Sequence, residues 1–543
     1  MTQDISPARS VYELFAAAAE RWPQRPFLNY LPETAEAYGI EAGELTYGTA
    51  LQAVDNLRDA YREAGYRAGS RVMLLLENKP SYFLHWFALN ALGLSVVPVN
   101  PDLQSAELSY MAGHAEPVLA VAIDNRVADL ESASRASGKE FPVIAENAEI
   151  PKLGSGGGPG YEPAASEEAA MLYTSGTTGN PKGCVLSNTY FLHAGHCYAH
   201  AGGVCALTED GERMITPLPM FHMNAMACSL MAMITVGGCL TVLDRFHPRS
   251  WWQSVRDSKS TCLHYLGVMP SILMKADEVP GERDHDVRFG FGAGIDPKLQ
   301  IPFEERFGIP LVEGWAMTET GMSAVIMANH EPRRRGEACL GRPEPEVATR
   351  IVLDDGSEAG PGEPGELLVR RAGDDPRYGF FSEYYKDPEA TAEAWKGGWF
   401  HTGDIIMRDE EGDYFFVDRK KNVIRRSGEN IAAVEVETIL MQHPDIRAVA
   451  AAAAPDALRG DEVLACIVTD MAHGEETARS IVTWALERMA YYKAPGYVAF
   501  LDALPLTPTQ KIQRGELKKL VPKLLEDPAT VDTRSMKKRL VAS

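Results

Sequence analysis

The sequence predicts an α/β protein. A large N-terminal domain of parallel-rich sheets covered by helices, with a small β subdomain, precedes a smaller α+β C-terminal domain. Three observations carry this. The chain has 543 residues, more than one ordinary core holds, so about two or more domains are expected. Strand and helix patterns alternate between positions 71 and 99, which argues for parallel strands bridged by helices. From Val347 the texture changes to short strands and tight turns.

In order, 71–76 (R-V-M-L-L-L) reads as a buried strand and 79–92 as an amphipathic helix rich in aromatics. The next strand, 94–99, is stopped by Asn100-Pro101-Asp102. The segment 151–166, with G-S-G-G-G-P-G inside it, is expected to be a flexible surface connection. Residues 351–353 run into Asp354-Asp355-Gly356, and 365–370 follow a Pro/Gly turn. The expected division is an N-terminal domain over 1–418, β-rich from about 347 to 418, and a C-terminal domain over 422–521. A charged, weakly periodic tail, 522–543, is expected to be partly disordered. There is no internal repeat.

Composition is that of a soluble globular protein. Lys and Arg number 53 against 75 Asp and Glu, a net charge of −22. Such a surface repels nucleic acid and anionic membranes, so neither is an expected partner. No secretion signal or bilayer-spanning apolar run is visible, and the last residues match no lipidation or peroxisomal tail. The eight cysteines form no C-x-x-C pair and read as reduced, mostly buried thiols of a cytoplasmic protein.

The most informative segment is 173–183, Y-T-S-G-T-T-G-N-P-K-G, directly after the apolar run 169–172. Thr174, Ser175, Thr177 and Thr178 supply hydroxyls. Gly176 and Gly179 let the backbone turn and expose its N–H groups, and Lys182 adds positive charge. A polyphosphate is the simplest ligand for that assembly. The register is not G-x-x-x-x-G-K-[ST], because the lysine falls three residues after Gly179 and precedes a glycine.

Further motifs follow. In 217–224 (P-L-P-M-F-H-M-N) prolines stiffen a loop ending in His222, which read alone is a structural histidine. Residues 290–294 (G-F-G-A-G) precede 313–321 (E-G-W-A-M-T-E-T-G), where Trp315 offers a flat face to a purine. Glu319 suits a Mg²⁺ that also takes phosphate oxygens, although T-E-T-G alone is equally a helix cap. Asp404 ends the turn 399–404 (W-F-H-T-G-D) and read alone is an ordinary turn aspartate, although its two oxygens suit two ribose hydroxyls. The charged run 418–422 (D-R-K-K-N) reads alone as a solvated loop. The segments 427–431 (S-G-E-N-I) and 505–514 (P-L-T-P-T-Q-K-I-Q-R) come last. His193, His196 and His200 share one helix face with Cys197 nearby. No H-E-x-x-H glutamate accompanies them, so a structural face is favoured over a metal site.

In this order, across nearly the whole chain, the motifs resemble those of the adenylate-forming superfamily: acyl-CoA synthetases, amino-acid-activating domains and luciferases. The resemblance implies that Thr174, Ser175, Gly176, Thr177, Thr178, Gly179 and Lys182 hold the ATP phosphates, Thr177 among the catalytic groups. It implies nucleotide contacts from Ala293, Gly294, Glu313, Gly314, Thr318, Phe416, Arg419 and Gly428. Trp315 falls in the adenine pocket, where most relatives have tyrosine. Glu319 is the Mg²⁺ and catalytic carboxylate and Asp404 the ribose ligand. His222 lines the carboxylate pocket with Met223, Asn224, Met226, Cys228 and Met322. Amino-acid-activating domains usually carry an aspartate at the His222 position, which argues against amino acids. Residues 419–421 are the hinge, pivoting at Lys421, and Lys511 enters the site during adenylation.

The expectation is an ATP-dependent carboxylic acid–CoA ligase that forms AMP and pyrophosphate, using ATP, Mg²⁺ and coenzyme A. Its mobile small domain rotates between two half-reactions. The substrate is a small or medium aliphatic or aryl acid, which points to fatty acid metabolism. The runs 384–391 (Y-Y-K-D-P-E-A-T) and 428–430 point within the superfamily to the carnitine/crotonobetaine–CoA ligase branch, though a betaine needs a compensating carboxylate that the sequence does not place. A stand-alone enzyme loading a carrier protein, a luciferase-like oxygenase and a non-catalytic nucleotide-binding protein are the alternatives. A homodimer is left open.

Overall fold

The computed structural model describes residues 8–153, 161–174, 181–419, 423–505 and 512–538. Their strands form three sheets of 7, 13 and 6 strands, the first two in the large domain and the third in the smaller C-terminal domain.

Burial sets the seven-stranded sheet. Val72, Met73, Leu74 and Leu75 are fully buried in strand Arg71–Leu75, which pairs in parallel with Ser95–Pro98 and Leu119–Ala122. Apolar runs without alternation are what a sheet covered on both faces requires. The hairpin Glu168–Thr174 and Lys182–Ser187 closes one side, and Glu383–Tyr384 adds an edge strand to it. The helix expected at 79–92 forms as Pro80–Asn90 but is not amphipathic, since Tyr82, Phe83 and His85 through Asn90 are all buried. Trp86 donates its indole N–H to Ala169 O of this sheet, while Phe83 packs edge-on against Phe27 of the next. A helix between two sheets is apolar all round.

The thirteen-stranded sheet begins with parallel strands, among them Pro26–Tyr30, Cys262–Leu266, Phe289–Ala293 and Leu311–Trp315. It continues without a break into antiparallel strands through Ile326–Met327 and Cys339–Pro343. These lead to Tyr414–Arg419, Phe400–Arg408, Gly365–Arg371 and Val347–Val352. The β-rich part therefore shares a sheet with the parallel part.

The third sheet carries Val423–Arg426, Glu429–Ala432, Ile446–Asp456, Gly460–Thr469 and Tyr497–Phe500, with helices Ala433–Leu440, Glu475–Leu486 and Arg514–Glu526. The tail expected to be partly disordered is instead part of this domain up to residue 538. Val531–Asp532 adds a strand beside Tyr497–Phe500, and Arg534 pairs with Asp532 and Asp456. The fully buried Lys537 ammonium reaches Glu462 and the Tyr492 carbonyl. Charge misled the sequence reading here because its partners lie tens of residues away.

Among the described residues no helix is long and apolar enough to cross a membrane. All eight cysteines are free, and all but Cys197 are buried.

Candidate active site

A cavity of about 640 Å³ opens where the small domain meets the large one. Its wall includes Thr174, Lys182, His222, Met223, Asn224, Cys228, Ala293, Gly294 and Glu313. Gly314, Trp315, Thr318, Glu319, Met322, Asp404, Phe416 and Gly428 also line it. Residues from six separate motifs thus converge on one space.

The hairpin pairs Thr174 with Lys182, so both ends of the 173–183 segment enter the cavity together. Ser175, Gly176, Thr177, Thr178 and Gly179 lie outside the described residues. Lys182 sits 3.5 Å from the Asp387 carboxylate and 4.8 Å above the Tyr384 ring. The Tyr384 hydroxyl donates to Glu319 Oε1 at 2.9 Å. Glu319 is buried and, among the described residues, pairs with no cation. A carboxylate on a cavity wall with lone pairs left over fits a Mg²⁺ ion bound together with phosphate oxygens.

Strand Leu311–Trp315 delivers two further groups. Glu313 accepts from the Tyr265 hydroxyl (2.6 Å) and the backbone N–H groups of Gly294 (2.9 Å) and Ile295 (3.2 Å). Burial raises its pKa despite these donors. Gly294 has φ +80, a left-handed turn that a side chain resists. Trp315 donates its indole N–H to Asp404 Oδ2 at 2.7 Å, and both residues are buried. The Arg419 backbone lies opposite Asp404 in the adjacent strand.

The Pro217–Pro219 loop ends in one π-helical turn, Asn224–Ser229, a local widening often found at functional sites. It turns Asn224 and Cys228 to the cavity. Met226, expected in the pocket, faces the other way, and its sulfur takes the Tyr82 hydroxyl at 3.3 Å inside the core. Residues four apart share a helix face and a residue midway between them does not. Behind Asn224 the buried His264 ring contacts Asn224 Oδ1 (2.8 Å), Ser229 Oγ (2.7 Å) and the Tyr198 hydroxyl (2.8 Å). Burial lowers the His264 pKa to about 3, so the ring is neutral.

From the small domain Val423, Arg425, Gly428, Asn430, Ala432 and Val434 line the cavity. Gly428 has φ +94, and a Cβ there would overlap Leu266 of the large domain. Glu429 Oε1 lies 3.2 Å from His222 Nε2. Burial opposes charge on His222, but the Glu429 carboxylate outweighs it and raises the imidazole pKa. Lys421 and Lys511 lie outside the described residues, and Pro505 and Ile512, which flank the latter's segment, are not on the cavity wall.

Sequence reasoning missed Tyr384, Tyr265, His264, Arg425 and Glu429 as parts of this site. Tyr384 and Glu429 stand inside motifs already noted, whereas His264 and Tyr265 sit in an unremarkable buried strand with no signal of their own. His193 is buried against Tyr378 and Cys197, while the rings of His196 and His200 pack on each other at 4.3 Å.

Fold and cavity together define an adenylate-forming enzyme. Within that class, the chain belongs to the AMP-binding enzyme family, which it matches over residues 15–385, with the AMP-binding enzyme C-terminal domain matched over 435–511. It is 30% identical over 521 residues to a sulfoacetate–CoA ligase of Cupriavidus necator, covering 93% of this chain and 96% of that one. It is 29% identical over 514 residues to a crotonobetaine/carnitine–CoA ligase of Salmonella arizonae, covering 90% and 96%. A Bacillus subtilis o-succinylbenzoate CoA synthetase double mutant, bound to a product analogue, superposes with a TM-score of 0.78 at 22% identity. That match covers 93% of this chain and 98% of the other. The same synthetase holding its acyl-adenylate superposes at 0.64, with 23% identity and 93% and 97% covered.

Proposed function

We propose that this protein is an ATP-dependent carboxylate–CoA ligase that forms an acyl-AMP and then an acyl-CoA, releasing pyrophosphate and AMP. One observation carries the reading. A single cavity is lined by the phosphate hairpin, the Trp315–Asp404 pair, Glu319 and His222 of the large domain, and also by Gly428 and Asn430 of the small one.

In the first half-reaction a carboxylate oxygen bonds to the α-phosphorus of ATP and pyrophosphate leaves. Negative charge grows on the phosphates, so the chemistry calls for donors and cations more than for acid–base groups. Lys182, the 174–179 backbone and hydroxyls, and Lys511 supply them. Trp315 and Asp404 hold adenine and ribose. Glu319 would hold Mg²⁺, which neutralises phosphate charge when bound. In the second half-reaction the CoA sulfur bonds to the acyl carbon, the carbonyl–oxygen bond to AMP breaks, and the thiol proton passes to solvent. The small domain pivots at Lys421 between the two. On this reading the docked arrangement, with Gly428 and Asn430 at the cavity, serves the second step. The better superposition on the product-analogue complex supports this.

The acyl side is formed by Met223, Asn224, Cys228, Phe291 and Met322, with His222 at its mouth. These five side chains carry no charge, which favours an uncharged tail over a quaternary ammonium or a sulfonate. A small or medium aliphatic or aryl acid fits, with at most one polar atom facing the Asn224 amide. Its product would enter thioester metabolism such as that of fatty acids, in the cytoplasm.

Pyrophosphate and AMP release over a panel of carboxylic acids, with and without CoA, tests the proposal. CoA-dependent turnover with uncharged-tail acids is expected. Acid-dependent pyrophosphate exchange that CoA never stimulates would redirect the second step to a carrier protein.

A further inference from the structure

Away from the cavity, the two domains are joined by a nearly dry cluster of charges. Lys493 Nζ lies 2.5 Å from Glu107 Oε1 of the large domain and 2.6 Å from Glu435 Oε1 of the small one. All three side chains are less than a tenth exposed. Glu107 Oε2 also accepts the Ala490 backbone N–H at 3.0 Å, and Asn100 Nδ2 donates to the Tyr492 hydroxyl at 3.1 Å. Burial alone would lower the Lys493 pKa, but the two carboxylates outweigh it and keep the ammonium charged.

We propose that Glu107 is a positioning residue for the second half-reaction: through Lys493 and Ala490 it latches the small domain in the docked arrangement that brings the 428–430 loop to the cavity. The proposal rests on the two-step reading above. Its physical basis is how the charges divide between the domains. Glu435 stands on helix Ala433–Leu440 and moves with Lys493, so the ammonium keeps a partner when the domains part. Glu107 stands in the first turn of helix Ser105–Ala115, where it also accepts the Gln104 N–H, so it keeps a cap of its own. Parting therefore exposes the Glu107 carboxylate to water and leaves no buried charge orphaned. A bridge that opens without an orphan is a reversible latch, whereas one that strands a charge would lock the domains. Nothing in the latch touches the cavity, so its loss acts on the docked arrangement alone.

Glu107→Gln removes the charge and keeps the helix-facing shape. Two measurements are read together. Acid-dependent ATP–pyrophosphate exchange is expected to stay at the wild-type rate. Conversion of preformed acyl-AMP to acyl-CoA should slow by about tenfold or more, the scale of a lost hydrogen bond to a charged group. Independently of any activity, hydrogen exchange of peptides spanning 487–494 should speed up in the variant, while those spanning 449–468 stay protected. Equal slowing of both half-reactions, or of neither, overturns the proposal, as does unchanged exchange at 487–494. If the wild-type protein activates no acid at all, the functional reading fails instead, and the exchange experiment still decides whether Glu107 holds the domains together.

Discussion

The indole N–H of Trp315 donates to Asp404 Oδ2 at 2.7 Å, tying the end of a parallel strand to the antiparallel strand Phe400–Arg408, 89 residues later. The expected ribose ligand is thereby oriented by the expected adenine-pocket residue, which on the proposed reading would couple base and sugar recognition. Replacing Trp315 with Phe keeps a flat ring and removes the donor. A hydrogen bond to a charged group is worth about 1.5–3 kcal/mol. The KM for ATP should accordingly rise by about tenfold or more while the KM for the acid stays put. Unchanged ATP affinity would show that Asp404 needs no such support.

The His222–Glu429 pair crosses the domain seam and should make docking pH-dependent. Because the pair raises the His222 pKa, it favours the docked arrangement fully below the ordinary imidazole value of 6.5. That contribution is lost as pH rises through the raised value. Glu429→Gln removes the cause of the increase, so the pKa should fall back toward 6.5. NMR titration of the His222 ring in both proteins checks the sign. An unmoved His222 pKa in the variant refutes it.

The His264 ring contacts Asn224 from behind the proposed acyl pocket; Asn224 is the cavity-lining residue among its hydrogen-bond partners, and the ring also packs edge-on against Phe291 of the cavity wall. His264→Phe keeps most of the volume and frees the amide. Selectivity, measured as the kcat/KM ratio between acids with and without an oxygen on the tail, should fall by about three- to tenfold, near 1 kcal/mol. Pyrophosphate exchange with an unadorned aliphatic acid should change little. A uniform drop across the acid panel would mean the network is purely structural.

Lys537 is buried with Arg426 around Glu462, and burial with Arg426 nearby lowers its pKa to about 7. Lys537→Ala leaves a void and releases the tail, so a loss of about 2–4 kcal/mol is expected in denaturant unfolding of the full chain. Lys537→Met fills the space without a charge, and Arg426 still pairs with Glu462 at 2.8 Å, so less than half that loss is expected. Equal losses from both variants would place the stabilisation in the ion pair itself.

The sequence alone determined the class of the fold, the order of its domains and the motifs that meet in the cavity. Strands such as Arg71–Leu75 announce themselves through unbroken apolar runs, Thr174 and Lys182 through local composition, and Glu319 and Asp404 only through the order of motifs the family resemblance supplies. Such signals are short-range: a turn, a run of glycines or a cluster of donors is written within a few residues. Only the tertiary structure decided what required distant partners. It turned Met226 into the core, buried the helix Pro80–Asn90 on every side and folded the charged tail onto Glu462. It also brought Glu107 to Lys493, 386 residues away, and Glu429 to His222, 207 residues away. Opposite charges and hydrogen-bonding groups carry no mark of the partner they will meet. The packing of sheets and domains selects that partner, and in this protein the Glu107–Lys493 and His222–Glu429 pairs lie along the seam on which the proposed second step depends.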